Sequence, residues 1–150
     1  MSDARDIPKA LARGVARALA QLGFASLVEV PLADGRRADL MALGPDGALV
    51  IVEVKSSVAD FRADRKWPEY RAWCDKLYFA VPEAFPLELI PLECGLIRAD
   101  GFGAAFLREP QDHKLVPARR RAVTLRFARL AAARLYRIND PGAFDLEAGF

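Results

Sequence analysis

Asp39, Glu53 and Lys55 are the side chains of this sequence whose types and spacing could do chemistry on a phosphate. Two carboxylates placed directly across an antiparallel strand pair sit about 4.5–5.5 Å apart at the backbone and repel each other, so their charge must be offset. A divalent cation would do this, since Mg2+ takes oxygen ligands, commonly one or two carboxylates together with water and substrate phosphate. Lys55, two residues beyond Glu53, projects from the same side of a strand. There its ammonium could hold an attacking water or neutralise charge building on a phosphate.

Whether the two acids meet depends on a turn. The runs Arg37–Leu43 and Ala48–Lys55 are aliphatic and bounded by turn formers, the pattern of hairpin strands. Between them, Pro45 suits the first central position of a type I turn, Asp46 the second, and Gly47 the left-handed residue that closes a three-residue loop with a G1 bulge. That loop pairs Gly44 with Ala48. Counting outward, it sets Leu43 against Leu49, Met41 against Ile51, Asp39 against Glu53 and Arg37 against Lys55. Ala42, Leu40 and Ala38 face Val50, Val52 and Val54 on the other, wholly apolar side. A two-residue loop would put Asp39 opposite Val52 and split the carboxylates between faces.

Asp39, followed after thirteen residues by Glu53-Val54-Lys55 at the end of an apolar strand, resembles the signature of the PD-(D/E)xK nuclease superfamily. Ala38 stands where that signature has proline. The longer run from Glu53 to Ala80 is similar to the MmcB-type bacterial DNA-repair proteins, and the similarity covers most of the chain, including its arginine-rich C-terminal segment. The resemblance implies a single α/β domain of restriction-endonuclease-like fold, a mixed β-sheet flanked by helices, and a role in DNA damage repair. It also implies that Asp39 and Glu53, with the Val54 carbonyl, bind Mg2+ or Mn2+ while Lys55 assists hydrolysis. Cleavage itself does not follow from it.

Many members of that superfamily place a further acid on the first helix, whereas the expected first helix here, roughly Pro8 to Leu22, contains none. Glu29 is the nearest candidate for a third ligand. The connection Pro31–Arg36 permits two registers, and only one aims Glu29 at Asp39. Lys66 and Tyr70 lie in the segment after the Glu-x-Lys strand, from which related nucleases supply supporting polar groups. Asp60 and Asp64 read as helix-start or surface-pairing residues, and Trp67, Tyr70 and Trp73 as packing residues. An isolated Glu-x-Lys is also how a solvated charge pair reads, so the assignment rests on Asp39 and the turn register together.

The 150 residues, 53% hydrophobic, suffice for one core and are too few for two ordinary domains. No linker, repeat or low-complexity tract divides them. The absence of a signal-peptide pattern and of a membrane-length apolar run points to the bacterial cytoplasm. Cys74 and Cys94 lack metal-ligand spacing and form no disulfide framework. His113, the only histidine, excludes a histidine-rich metal centre and argues against Ser-His-Asp catalysis.

Further strands are expected near Leu27–Val30, Lys76–Val81, Gly95–Ala99 and Ala104–Arg108, with helical or turn structure over Ser57–Trp73 interrupted at Pro68. A short helix is expected within Pro82–Pro91 and a terminal one over Pro117–Ile138. The net charge is only +2, but His113–Ile138 holds eight Lys or Arg residues and no acid. Arg119, Arg120, Arg121 and Arg126 there, with Lys9, Arg13 and Arg17 at four-residue spacing on the first helix opposite Leu11, Val15 and Leu22, are candidate phosphate contacts. No sequence-reading motif accompanies them, so damaged or branched DNA recognised by its backbone is the expected partner. A homodimer or a repair-protein partner is compatible with the sequence. The expected activity is a metal-dependent endonuclease; the alternative is a catalytically silent DNA-binding repair factor on the same scaffold.

Overall fold

The computed structural model describes residues 6–150. Helix α1 (Asp6–Gln21) leads into β1 (Ala25–Pro31), β2 (Arg37–Leu43) and β3 (Leu49–Val54). There follow α2 (Val58–Ala63), a 3-10 segment Trp67–Trp73, β4 (Lys76–Val81), β5 (Gly95–Ala99), β6 (Ala104–Arg108) and α3 (Pro117–Asn139). The strands form a single six-stranded sheet in chain order. β1, β2 and β3 pair antiparallel, β3–β4–β5 are parallel and β6 returns antiparallel to β5.

β3 lies in the middle of the sheet and all its residues are buried, as expected of a strand covered on both faces. On one face Leu11, Val15 and Leu19 of α1 pack on Leu40, Val50, Val52 and Tyr78. On the other, Val123, Phe127 and Leu130 of α3 cover Met41, Ile51, Leu77 and Phe79. Trp67 and Phe61 add edge-on contacts to Phe79, with ring centroids 5.7 and 5.5 Å away.

The β2–β3 turn has the geometry its residues call for. Gly44 and Ala48 are bonded N–H to carbonyl at 2.8 Å, the Gly47 N–H reaches the Gly44 carbonyl, and Gly47 has φ +93°. The register follows, with Leu43 opposite Leu49 and Met41 opposite Ile51.

Several expectations need correction. α1 begins at Asp6, so its first turn does contain an acid; Asp6 lines a cleft with Glu83 and Arg98, not the one holding Asp39. Leu22 lies past the end of the helix and is 58% exposed, leaving Leu19 to fill the core. Pro82–Pro91 supplies only a 3-10 turn at Leu87–Leu89, its three prolines removing the N–H groups a longer helix would use. Ala38 does not share a layer with Leu40. It packs with Val30 and Met41 on the α3 side, because alternation breaks at Glu29, with φ +50°, between the Val28–Leu40 and Val30–Ala38 pairs.

Gly14 lies in the interior of α1, where glycine costs about 1 kcal/mol relative to alanine. A Cβ there would sit 1.8 Å from the Asp100 carbonyl oxygen and 2.6 Å from that of Gly103. The helix therefore lies directly against the β5–β6 turn. Gly14→Ala is expected to destabilise the fold by about 3 kcal/mol despite its better helix propensity, read as a lower urea midpoint.

Candidate metal centre and nucleic-acid interface

The ladder between β2 and β3 stops at Leu40–Val52. Beyond it the carboxylates take over the backbone bonds. The Asp39 N–H donates to Glu53 Oε2 at 2.8 Å, and the Val54 N–H donates to Asp39 Oδ2 at 2.8 Å. Each acid is thus latched to the strand that carries the other, which leaves one oxygen of each carboxylate outside these bonds. The three-residue turn is what brings this about.

Glu53 is 3% exposed and Lys55 7%. The segment after β3 covers them. Ser57 caps α2, its Oγ accepting the Asp60 N–H at 3.1 Å, while Asp60 Oδ2 accepts the Ser56 N–H; such a cap contributes about 1 kcal/mol. Asp64 ends α2, and its Oδ2 meets Lys55 Nζ at 2.8 Å. The 3-10 segment then sets Tyr70 over the acids, its hydroxyl donating to the Arg37 carbonyl at 3.1 Å. Pro8, Arg36, Asp39, Glu53, Val54, Lys55, Asp60, Asp64, Lys66 and Tyr70 together line a cleft of about 430 Å³.

The electrostatics follow from burial. Desolvation, and then the neighbouring charge of Asp39, pushes the Glu53 carboxyl up to about 8 against the pull of the Asp39 N–H. Asp39 is also raised, by burial opposed by the Val54 N–H and Lys55. Asp64 moves the other way. Burial raises it, but the Lys55 hydrogen bond and the Lys66 and Trp67 N–H groups outweigh that and hold it below the usual carboxylate range. Burial and the adjacent Glu53 charge raise the Tyr70 phenol. The acid pair therefore carries a desolvation cost that its nearest lysine, bound to Asp64, only partly offsets.

Asp39, Glu53, Val54 and Lys55 are brought together as their spacing predicts, and Lys66 and Tyr70 line the same cleft. Glu29 falls between the Val28–Leu40 and Val30–Ala38 pairs and is exposed, and it lines with Asp39, Val54 and Lys9 a second pocket adjoining the cleft. Among the described residues no group of three acids, histidines or cysteines is placed to hold a metal ion. Asp64, as the partner of Lys55, is not legible from sequence, because the turn back from α2 that brings it there has no local signature.

The arginine-rich α3 is largely committed to the fold. Arg120 forks onto Asp75 at 2.5 and 2.6 Å. Arg119 donates to the Ala72 carbonyl and stacks 4.1 Å from the Trp73 ring, and Arg126 donates to the Pro31 carbonyl. Arg134 grips the Val28 and Glu29 carbonyls. Of the candidate phosphate contacts, Arg121 on α3 and Lys9, Arg13 and Arg17 on α1 are exposed, Arg13 while also donating from Nε to the Gly101 carbonyl. Sequence alone could not separate arginines that bind carbonyls from arginines that face solvent.

The fold and site define a single-domain α/β protein whose six-stranded mixed sheet, flanked by helices, presents a latched acid pair and a buried lysine where β3 ends. The chain belongs to the MmcB-like family: the model for "DNA repair protein MmcB-like" matches residues 2–142. Among solved structures it is similar to the "SPO1766 protein of unknown function from Silicibacter pomeroyi", with 47% identity, a TM-score of 0.87, and coverage of 91% of this chain and 93% of that one. Comparison with curated proteins gave no match. Among the described residues no helix is long and apolar enough to cross a membrane.

Proposed function

We propose that this protein is a divalent-metal-dependent nuclease of PD-(D/E)xK type that hydrolyses DNA phosphodiester bonds during repair. The observation that carries the reading is the Asp39–Glu53 pair: two carboxyls latched together in a desolvated cleft, with Lys55 engaged by Asp64. Like-charged buried carboxyls are costly unless a proton or a cation joins them. The donor set fits a hard cation, because each acid keeps one oxygen outside its backbone bond and Val54, whose carbonyl would be the further ligand, lines the same cleft. Mg2+ or Mn2+ held there would supply Lewis-acid stabilisation of charge on the scissile phosphate.

The chain's own groups do the rest. Asp39 and Glu53 hold the cation, and their mutual backbone bonds fix their spacing. Lys55 Nζ, oriented by Asp64, positions the attacking water or neutralises phosphate charge. Tyr70 closes the cleft above Glu53 and narrows the approach of bulk water. Lys66, exposed at the rim, meets the phosphate backbone. The setting is the bacterial cytoplasm, and paired strand cuts would call for a second copy or a repair partner.

One observation favours a second reading, a catalytically silent DNA-binding repair factor: no third acidic ligand joins the pair among the described residues. Labelled single-stranded, duplex, flapped and four-way-junction DNAs, incubated with Mg2+, Mn2+ or EDTA, separate the two. Metal-dependent cutting lost in Asp39→Asn and Lys55→Ala is the expected result. Binding without cutting by any form would establish the accessory reading instead.

A further inference from the structure

We infer that the β5–β6 hairpin tip and the cleft beneath it bind DNA carrying unpaired bases, with Phe102 stacking on a base and Lys9, Arg13 and Arg98 meeting the phosphates. This rests on the DNA reading above but not on catalysis.

Phe102 is 80% exposed. Isolated exposed apolar residues are ordinary; what sets this one apart is how it is held. Asp100 Oδ1 accepts the N–H groups of Phe102 and Gly103 at 2.8 and 3.0 Å, and the Asp100 N–H closes onto the Gly103 carbonyl at 3.0 Å. Arg13 of α1 donates from Nε to the Gly101 carbonyl at 3.0 Å, and Gly14 lets the helix backbone touch the turn. An aromatic ring is thus presented to solvent on a pre-ordered turn, so little conformational freedom remains to be lost when it stacks on a ligand.

The cleft beneath the turn, about 1180 Å³, is lined by Lys9, Arg13 and Arg98. Among the described residues the buried Nε of Arg98 has no hydrogen-bond partner, so that atom ties the guanidinium to no protein carbonyl or carboxylate. Asp6, Glu83 and Asp100 also line the cleft and match its three cations in number, so it is no general sink for anions. Cations beside a rigid aromatic ring are instead the arrangement by which proteins hold unpaired strands: charge follows the backbone and the ring takes a base. Lys9 also lines the pocket that contains Asp39. A strand lying across the start of α1 would therefore run from the hairpin to the acid pair.

The test is fluorescence anisotropy in EDTA, where no cleavage intervenes, with a labelled 20-nucleotide oligo-dT and a blunt duplex of equal length. Phe102→Ala is expected to weaken oligo-dT binding about 5- to 100-fold, to leave duplex binding and the salt slope unchanged, and to be rescued by Phe102→Trp. Arg98→Ala is expected to lower the salt slope by about one. Unchanged oligo-dT affinity in Phe102→Ala, with the wild type still binding DNA, would overturn the inference and spare the DNA reading. An equal loss for duplex would overturn the unpaired-base preference. A wild type that binds neither probe would overturn both. Thermal melting checks that each variant is folded.

Discussion

Glu53→Gln is expected to lower metal-dependent cleavage at least about a hundredfold while making the fold more stable. Both effects have one cause. The Glu53 carboxyl is pushed from an ordinary 4.5 up to about 8 by burial and by Asp39. Below about pH 4.5 the folded and unfolded chains are both protonated there, and burial carries no ionic cost. As the pH rises toward 8 the unfolded chain ionises while the folded one resists, so the stability present at low pH is lost across that window. Glutamine keeps an oxygen for the Asp39 N–H and has no proton to lose. At pH 8 it should stabilise the fold by roughly 1–3 kcal/mol, measured by urea unfolding without metal. Mn2+ should raise the melting temperature of the wild type more at pH 8 than at pH 6, since the cation and the proton compete for the same oxygens. A variant that loses both activity and stability would instead mark Glu53 as a structural residue.

Asp75→Ala is expected to cost about 3–5 kcal/mol, enough to lower the melting temperature by more than about 6 °C. Asp75 is 5% exposed. Its carboxylate accepts the Leu49 N–H at 2.8 Å, the Leu115 N–H at 2.9 Å and both arms of the Arg120 fork. One side chain thereby joins the start of β3 to the entry of α3. Burial raises its carboxyl, but Arg120 and the two N–H groups outweigh that and hold it below the ordinary 3.8. Its contribution is therefore present above that value and disappears as the pH falls through the lower folded-state value. The wild type should lose stability in that acid window, while Asp75→Ala, already without the contribution, should lose much less. Arg120→Lys, which keeps the charge and loses the fork, is expected to fall between them. If Arg120→Ala altered only DNA affinity and not stability, the structural role of the pair would be refuted.

Local chemistry explains which parts of the fold were readable. β2, β4, β5 and β6 occupy the ranges their apolar runs and flanking turn residues predict, because strand ends are set by glycine, proline and aspartate close in sequence. The same holds for α3, which starts at Pro117, and for the β2–β3 register, which follows from Pro45-Asp46-Gly47 and brings Asp39 beside Glu53. Contacts between residues distant in the chain left no such trace. Glu29 breaks the alternation of β1 and β2 through a left-handed backbone that Arg134, from the far end of the chain, holds by its carbonyl. Arg119, Arg120 and Arg126 looked like phosphate contacts because composition counts charges and does not see carbonyls.

The sequence alone thus determined the hairpin, the facing acids and the lysine beside them, since all three depend on a short turn and a two-residue period. The tertiary structure decided that β3 lies buried at the centre of the sheet, that α2 and Tyr70 close over the acids, that Asp64 takes Lys55, and which cations remain at the surface. Those outcomes depend on where separate elements come to rest against one another, and that is settled by burial of the shared core and not by any local pattern of residues.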